Sequence, residues 1–311
     1  MVKPCDFGGR GPVIHLAHAN GFPPGAYRLL AAALTDQYHV VALPARPLWP
    51  GSQPESAPAW RPLADDLIAG LDALGLRGIV GVGHSIGGVL TMWAAVRRPD
   101  LFRAVVLIDP VILPPTLLFV LRWMRRLGLG KRQPLVRGAL RRRRTWPSRQ
   151  ACFDQYRAKP VFARWSDESL WAYVEAATEQ SEAGVALAYP PEWEAHIFAT
   201  TPLDAWRDVP RLRPPLLVIR GAETNTFRAA SQARMARLVP QARFVVIQNA
   251  GHLVPLERPA ATGAAIRNFL ASTSNGQADG REAPPDRSPP PRARGARPRA
   301  PQARSGDCTE L

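Results

Sequence analysis

With 311 residues, 46% of them hydrophobic, the chain has the length and apolar content for one large α/β domain or two small ones around a sizeable core. Its three cysteines, Cys5, Cys152 and Cys308, are odd in number and widely spaced, which argues against a disulfide framework or a metal-ligand pattern and fits a reducing compartment. A net charge of +15 would point to nucleic acid or an anionic membrane if it covered the surface, but eleven Lys and Arg and no acid fall between Arg122 and Arg149.

Met1 to Arg10 lacks a charged stretch followed by an apolar run, and nowhere do about 18 apolar residues follow one another. A soluble, cytoplasmic protein is expected. The final Cys308-Thr309-Glu310-Leu311 puts a cysteine where prenylation signals have one, without their aliphatic pair.

In chain order, strands are predicted at Val13 to Ala17, His39 to Leu43, Gly78 to Val82, Ala104 to Ile108, Leu216 to Arg220 and Phe244 to Gln248. Helices are predicted between them. Pro62 to Leu74 opens on a proline and carries Leu63, Leu67, Leu71 and Leu74 at helical spacing; Ile86 to Arg97, Arg228 to Leu238 and Pro259 to Leu270 follow. This alternation implies an α/β fold, a mostly parallel doubly wound sheet with cores at 1–112 and 211–271. It breaks between Leu113 and about Pro210, where no strand is evident and six of the nine tryptophans occur. That block, 113–210, reads as a helical cap insertion. From Ser272 to Leu311 the composition turns to Pro, Arg, Gly, Ala and Ser, so a disordered tail is expected.

At the junction of a predicted strand and helix lies Gly83-His84-Ser85-Ile86-Gly87. A serine on a sharp strand-to-helix turn is lifted above the sheet, and residues without bulk two places either side let strand and helix approach. The following helix directs N–H groups at a reacting carbonyl, making the Ile86 N–H an oxyanion donor. A dinucleotide loop would need Gly-x-Gly-x-x-Gly after the first strand, a pattern the sequence lacks.

The sequence resembles the α/β-hydrolase fold superfamily over roughly Val13 to Leu270, with Gly-His-Ser-Ile-Gly-Gly as nucleophile elbow and the insertion where that superfamily carries its cap. The resemblance implies a triad in the order serine, acid, histidine. Of the six histidines, only His252, in Asn249-Ala-Gly-His252 after the last predicted strand, has the position of the general base. Most members carry the acid in the turn after the penultimate strand, which here offers Glu223 and has Asn225 where an aspartate is usual. Asp109, ending the strand after the elbow helix, occupies an alternative position used by members of the haloalkane dehalogenase type. Asp109 is preferred, with Glu223 as the alternative. The loop His18-Ala-Asn20-Gly21-Phe22-Pro23 resembles the family's His-Gly-x-Pro loop with two residues added. The Phe22 N–H is the preferred second oxyanion donor, and Asn20 the other candidate. Only about a dozen residues precede the first strand, so the antiparallel strands that usually open this fold are expected to be shortened or absent.

The resemblance thus implies a metal-free, cofactor-independent serine hydrolase of a carboxylic ester or related small acyl substrate, since dehalogenases and epoxide hydrolases use an elbow aspartate. A non-catalytic binding protein on the same fold is the competing class. Leu113 to Gly128 reads as a basic amphipathic cap helix with solvated arginines, or as an element lying on an anionic membrane surface, as a lipase would use. Arg141 to Arg144 reads as a solvated charge run, and with no nucleic-acid fold signature beside it, no nucleic-acid partner is expected. Phe119, Trp123, Phe162, Trp165 and Trp171 line either the substrate pocket or the core of the cap.

Overall fold

The computed structural model describes residues 3–129 and 133–278. All six predicted strands form within two residues of the expected limits, and they join one further strand in a seven-stranded sheet. Its strands are β1 (Cys5–Gly8), β2 (Val13–Ala17), β3 (His39–Ala42), β4 (Ile79–His84), β5 (Phe102–Ile108), β9 (Leu216–Gly221) and β10 (Arg243–Ile247), in the order β1-β3-β2-β4-β5-β9-β10. All pairs are parallel except β1 with β3. The antiparallel opening of the sheet is therefore reduced to a single four-residue strand, within the expected shortening.

The central strands are apolar on both faces, as a sheet covered on both sides requires. Alternate residues divide between two cores. Ile14, Leu16, Val80, Val82, Val106 and Ile219 face one, which also takes in Phe269 and Leu270 of the helix Pro259–Ala278 and much of the inserted region. Val105, Leu107, Leu216 and Val218 face the other, against the helices Arg61–Ala73, Ile86–Arg97 and Ala229–Leu238. Leu63, Leu67 and Leu71 are buried at their helical spacing, each contributing roughly 1.5–3 kcal/mol relative to exposure.

The insertion between β5 and β9 is largely helical, as expected, but it also contains strands where none was evident. The helices Pro115–Arg126, Pro134–Leu140, Arg149–Arg157, Asp167–Ala177 and Pro191–Ala199 are accompanied by a small antiparallel sheet of β6 (Thr145–Trp146), β7 (Thr178–Ser181) and β8 (Gly184–Leu187). These strands are too short to show a period of two, and only the turn at Gly184, with φ of 116°, marks the hairpin. The last helix also runs past Ser272, where the tail was expected to begin; the remainder of that tail lies outside the described residues.

Three histidines are built into the sheet and its carboxyl edge. His15 accepts the Leu43 N–H at Nε2 (3.2 Å), and His18 accepts the Ala45 N–H at Nε2 (3.0 Å) while donating from Nδ1 to the Ala19 carbonyl (2.9 Å). His84 ends β4. An imidazole that accepts at one nitrogen is neutral, and burial pushes all three down, His15 and His84 to about 3 and His18 to about 4. Unfolded histidines bind a proton near pH 6.5, so below that pH the unfolded state takes up protons that the native state refuses. Stability should fall between pH 6.5 and about 4, by about 1.4 kcal/mol per histidine per pH unit. Urea unfolding should show a clearly lower midpoint at pH 5 than at pH 7; equal midpoints would contradict the neutral assignment.

Candidate active site

The glycines of the elbow are explained by close approach. A Cβ on Gly83 would lie 2.3 Å from the Gly87 carbonyl oxygen, and one on Gly87 would lie 2.1 Å from that of Ala17. Between them Ser85 holds φ 58° and ψ −118°, a conformation that an L-residue adopts only under constraint. Hydrogen bonds to the neighbouring strand end supply that constraint: the Ser85 N–H donates to the Ile108 carbonyl (3.0 Å) and its carbonyl accepts from the Val111 N–H (3.3 Å).

Ser85 is 6% exposed, and its Oγ lies 3.0 Å from Nε2 of His252. The other imidazole nitrogen, Nδ1, donates to Oδ1 of Asp109 at 2.9 Å. Asp109 has no solvent exposure, and its carboxylate is held by further donors: the Thr224 hydroxyl (2.7 Å) and Phe227 N–H (3.3 Å) on Oδ1, and the Gly221 N–H (3.2 Å) on Oδ2. Asp109 also has φ of 42°, with its own N–H bonded to the Ile219 carbonyl (2.7 Å). Because β5 and β9 are neighbours, with Ile108 opposite Ile219, the end of β5 reaches the same place as the turn after β9.

That turn takes a different part. Glu223 points outward, half-exposed, and pairs with Arg164, while its N–H ties the turn to the Ala250 carbonyl (3.0 Å). Asn225 borders the cavity and accepts from the Thr226 hydroxyl (3.3 Å). Neither meets His252; the turn contributes the Thr224 hydroxyl to Asp109 instead.

On the oxyanion side, Ile86 opens its helix, so its N–H has no carbonyl one turn earlier to bond. The expectation for Phe22 is corrected: its N–H closes a turn on the Ala19 carbonyl (3.2 Å). The Asn20 N–H, the other candidate, has no hydrogen-bond partner among the described residues, and both Asn20 and Ile86 border the cavity that holds Ser85.

A model of the alpha/beta hydrolase family matches residues 16–265. The chain belongs to that family. It is 29% identical over 269 residues to 2-(acetamidomethylene)succinate hydrolase of Mesorhizobium japonicum, covering 84% of this chain and 89% of that protein. It is also 29% identical over 273 residues to polyketide synthase ThaQ of Burkholderia thailandensis, covering 86% of this chain but only 12% of ThaQ. Among solved structures, E-2-(acetamidomethylene)succinate hydrolase superposes with a TM-score of 0.69 at 21% identity, over 86% of this chain and 94% of that one.

In this α/β hydrolase a second tier of hydrogen bonds holds the site. His84 is buried and donates from Nε2 to the carbonyl of His252 (2.9 Å). Its Nδ1 accepts from the Tyr27 hydroxyl (2.7 Å), whose oxygen accepts the Ala19 N–H (2.9 Å). One unbroken chain thus joins the backbone of the loop after β2 to the backbone of the loop that carries His252. The motif brought His84 to view, but nothing in the sequence pointed to Tyr27 or Thr224.

The cavity above Ser85 has a volume of about 1070 Å³. Its wall is mainly aliphatic, with Leu113, Leu117, Leu121, Met124 and Ile197 beside Phe198. The aromatic residues named as pocket candidates stand elsewhere. Phe162 and Trp165 are buried within the inserted region, Trp171 stacks on Phe153, and Phe119 and Trp123 are exposed. Of the four-arginine run, Arg141, Arg143 and Arg144 are exposed, whereas the Arg142 side chain is largely turned inward, at 16% exposure.

The geometry separates the two acids experimentally. Asp109→Asn should lower kcat by about four orders of magnitude, the effect of the same exchange in a serine-protease triad. Glu223→Gln should leave it within a few-fold of wild type. Ester-hydrolysis kinetics on both variants would expose the reverse pattern as an error.

Proposed function

We propose that this α/β hydrolase cleaves a carboxylic ester, or a closely related acyl compound, whose larger part is apolar, through an acyl-enzyme on Ser85. The observation that carries the reading is the linear array in which the Ser85 hydroxyl meets His252 and His252 meets a solvent-free Asp109, with Ser85 and His252 lining a mainly aliphatic cavity.

In this reading Ser85 Oγ attacks the acyl carbon as its proton passes to Nε2 of His252. Asp109 holds the ring in the tautomer that can accept it and offsets the imidazolium charge. The oxyanion develops beside the N–H groups of Ile86 and Asn20, each donor of this kind contributing about 10²–10³ in rate. Collapse of the intermediate expels the alcohol, which takes the proton from His252. Water, deprotonated by His252, then attacks the acyl-serine, and the acid leaves as the Ser85 hydroxyl is restored.

The first relative's name carries a succinate, a dianion, and an acetamido group. The cavity here argues for a different substrate. Its cations are Arg164, already paired with Glu223, and Arg228, bonded to the Asn225 carbonyl, so both are engaged within the protein. A mostly apolar acyl or alcohol group fits that wall.

A second reading concerns where the substrate is met. Phe119, Val120, Trp123, Leu127, Leu135 and Val161 are exposed on the cap, three of them at the cavity itself, with Arg122 and Arg126 among them. Such an apolar, basic collar suits an enzyme that takes its substrate from an anionic lipid surface. Among the described residues no helix is long and apolar enough to cross a membrane.

A panel of p-nitrophenyl esters tests both readings. With soluble esters, kcat/KM should rise about three- to four-fold per added methylene, the transfer free energy of one CH₂ group, until the cavity is filled. With one long ester dispersed in phosphatidylglycerol vesicles, the surface reading expects higher rates that drop with added salt. A preference for short or dicarboxylic substrates would contradict the apolar assignment, and equal rates in anionic and neutral vesicles would contradict the surface.

A further inference from the structure

Arg142 is a charged side chain in the interior. Its guanidinium lies 2.5 Å from Oε2 of Glu194, 2.6 Å from the Tyr173 hydroxyl and 2.9 Å from that of Tyr156. Burial works against the charge, but Tyr173, Glu194 and Tyr156 around it outweigh that and hold it more firmly protonated than a free arginine. Glu194 is itself almost fully buried. A paired buried charge adds little stability over apolar packing, so its presence asks what it fixes in place.

The cluster stands against the loop after β2. Asn20 donates from Nδ2 to the Glu194 carbonyl (3.0 Å) and accepts at Oδ1 from the Tyr189 hydroxyl (2.9 Å), so both ends of its side chain are tied to the inserted region. Gly21 follows with φ of 78°, and a Cβ there would lie 3.1 Å from the Glu194 carboxylate and 3.2 Å from the Arg142 guanidinium. Phe22 packs on Tyr173, with ring centroids 5.1 Å apart. Every side chain of the turn Asn20 to Phe22 therefore rests on the cap or, at Gly21, is absent to make room for it.

We propose that the Arg142–Glu194 pair, acting through Asn20, positions the oxyanion loop, so that the cap and the oxyanion site form as one unit. These are positioning residues. None of Arg142, Glu194 or Tyr189 borders the catalytic cavity, and the Asn20 side chain is tied at both ends to the inserted region. What reaches the reaction is the Asn20 backbone N–H. The inference rests on the acyl-enzyme reading above.

Steady-state ester hydrolysis and the rate of fluorophosphonate labelling of Ser85 test it together, because the phosphonyl oxygen occupies the oxyanion site in the adduct. Asn20→Ala keeps the backbone donor and removes both tethers; kcat and labelling rate should fall in parallel by about 10²-fold, with KM changed less than about three-fold, since a misplaced oxyanion donor acts on the transition state alone. Arg142→Met should produce the same split and Arg142→Lys should recover most of it. Combining Arg142→Met with Asn20→Ala should add little to either change alone, as two changes to one device do. Should Arg142→Met fail to fold, Asn20→Ala and Tyr189→Phe carry the test, the latter with a smaller loss of the same kind. Wild-type kcat in folded Asn20→Ala, or losses confined to KM or to thermal midpoint, would overturn the inference. A wild-type protein unlabelled at Ser85 would overturn the nucleophile assignment and the inference with it.

Discussion

Asp109 has no contact with solvent, so its charge must be held entirely by the groups around it, and those groups come from separate segments of the chain. The turn after β9 contributes the Thr224 hydroxyl and the N–H groups of Gly221 and Phe227, and the loop after β10 contributes His252. Those donors satisfy the oxygens of a carboxylate that water does not reach. The contact of that carboxylate with Nδ1 of His252 also turns the imidazole toward Ser85. Packing of β4, β5, β9 and β10 side by side is what brings these loops to one edge of the sheet, as open parallel sheets generally do.

The site is thus fixed from below by the sheet and from above by the inserted region. From below, Tyr27 and His84 carry hydrogen bonds from the Ala19 N–H to the His252 carbonyl. Each acceptor in that chain is satisfied only if His84 is neutral, which its burial ensures. From above, the aliphatic residues of the helix Pro115–Arg126 roof the cavity while that helix leaves Phe119 and Trp123 facing outward. A helix apolar on two sides has one face to spare once the cavity is covered.

The sheet was legible because buried parallel strands are continuous apolar runs and the elbow glycines are forced by backbone contact. Ser85 and His252 were legible for a related reason: each sits where chain order and a turn place it. The acid was harder, since two adjacent strand ends offered a carboxylate and only the pairing of β5 with β9 brings Asp109 under the imidazole. Phe22 was preferred as donor on loop alignment, which does not register that its N–H is already bonded to the Ala19 carbonyl. Arg142 was read with its neighbours as solvated because a run of four arginines hides which one turns inward, and β6 to β8 were missed because two- to four-residue strands carry no period.

In the proposed reading the whole arrangement serves one chemical event, the formation of a covalent acyl intermediate on Ser85. Its most direct test is a rapid-quench reaction of the protein with excess p-nitrophenyl ester, followed by peptide mass analysis. A nitrophenol burst approaching one equivalent is expected, with the acyl mass on the peptide containing Ser85. Turnover of the ester with the acyl group on another residue, or undiminished turnover by Ser85→Ala, would contradict it.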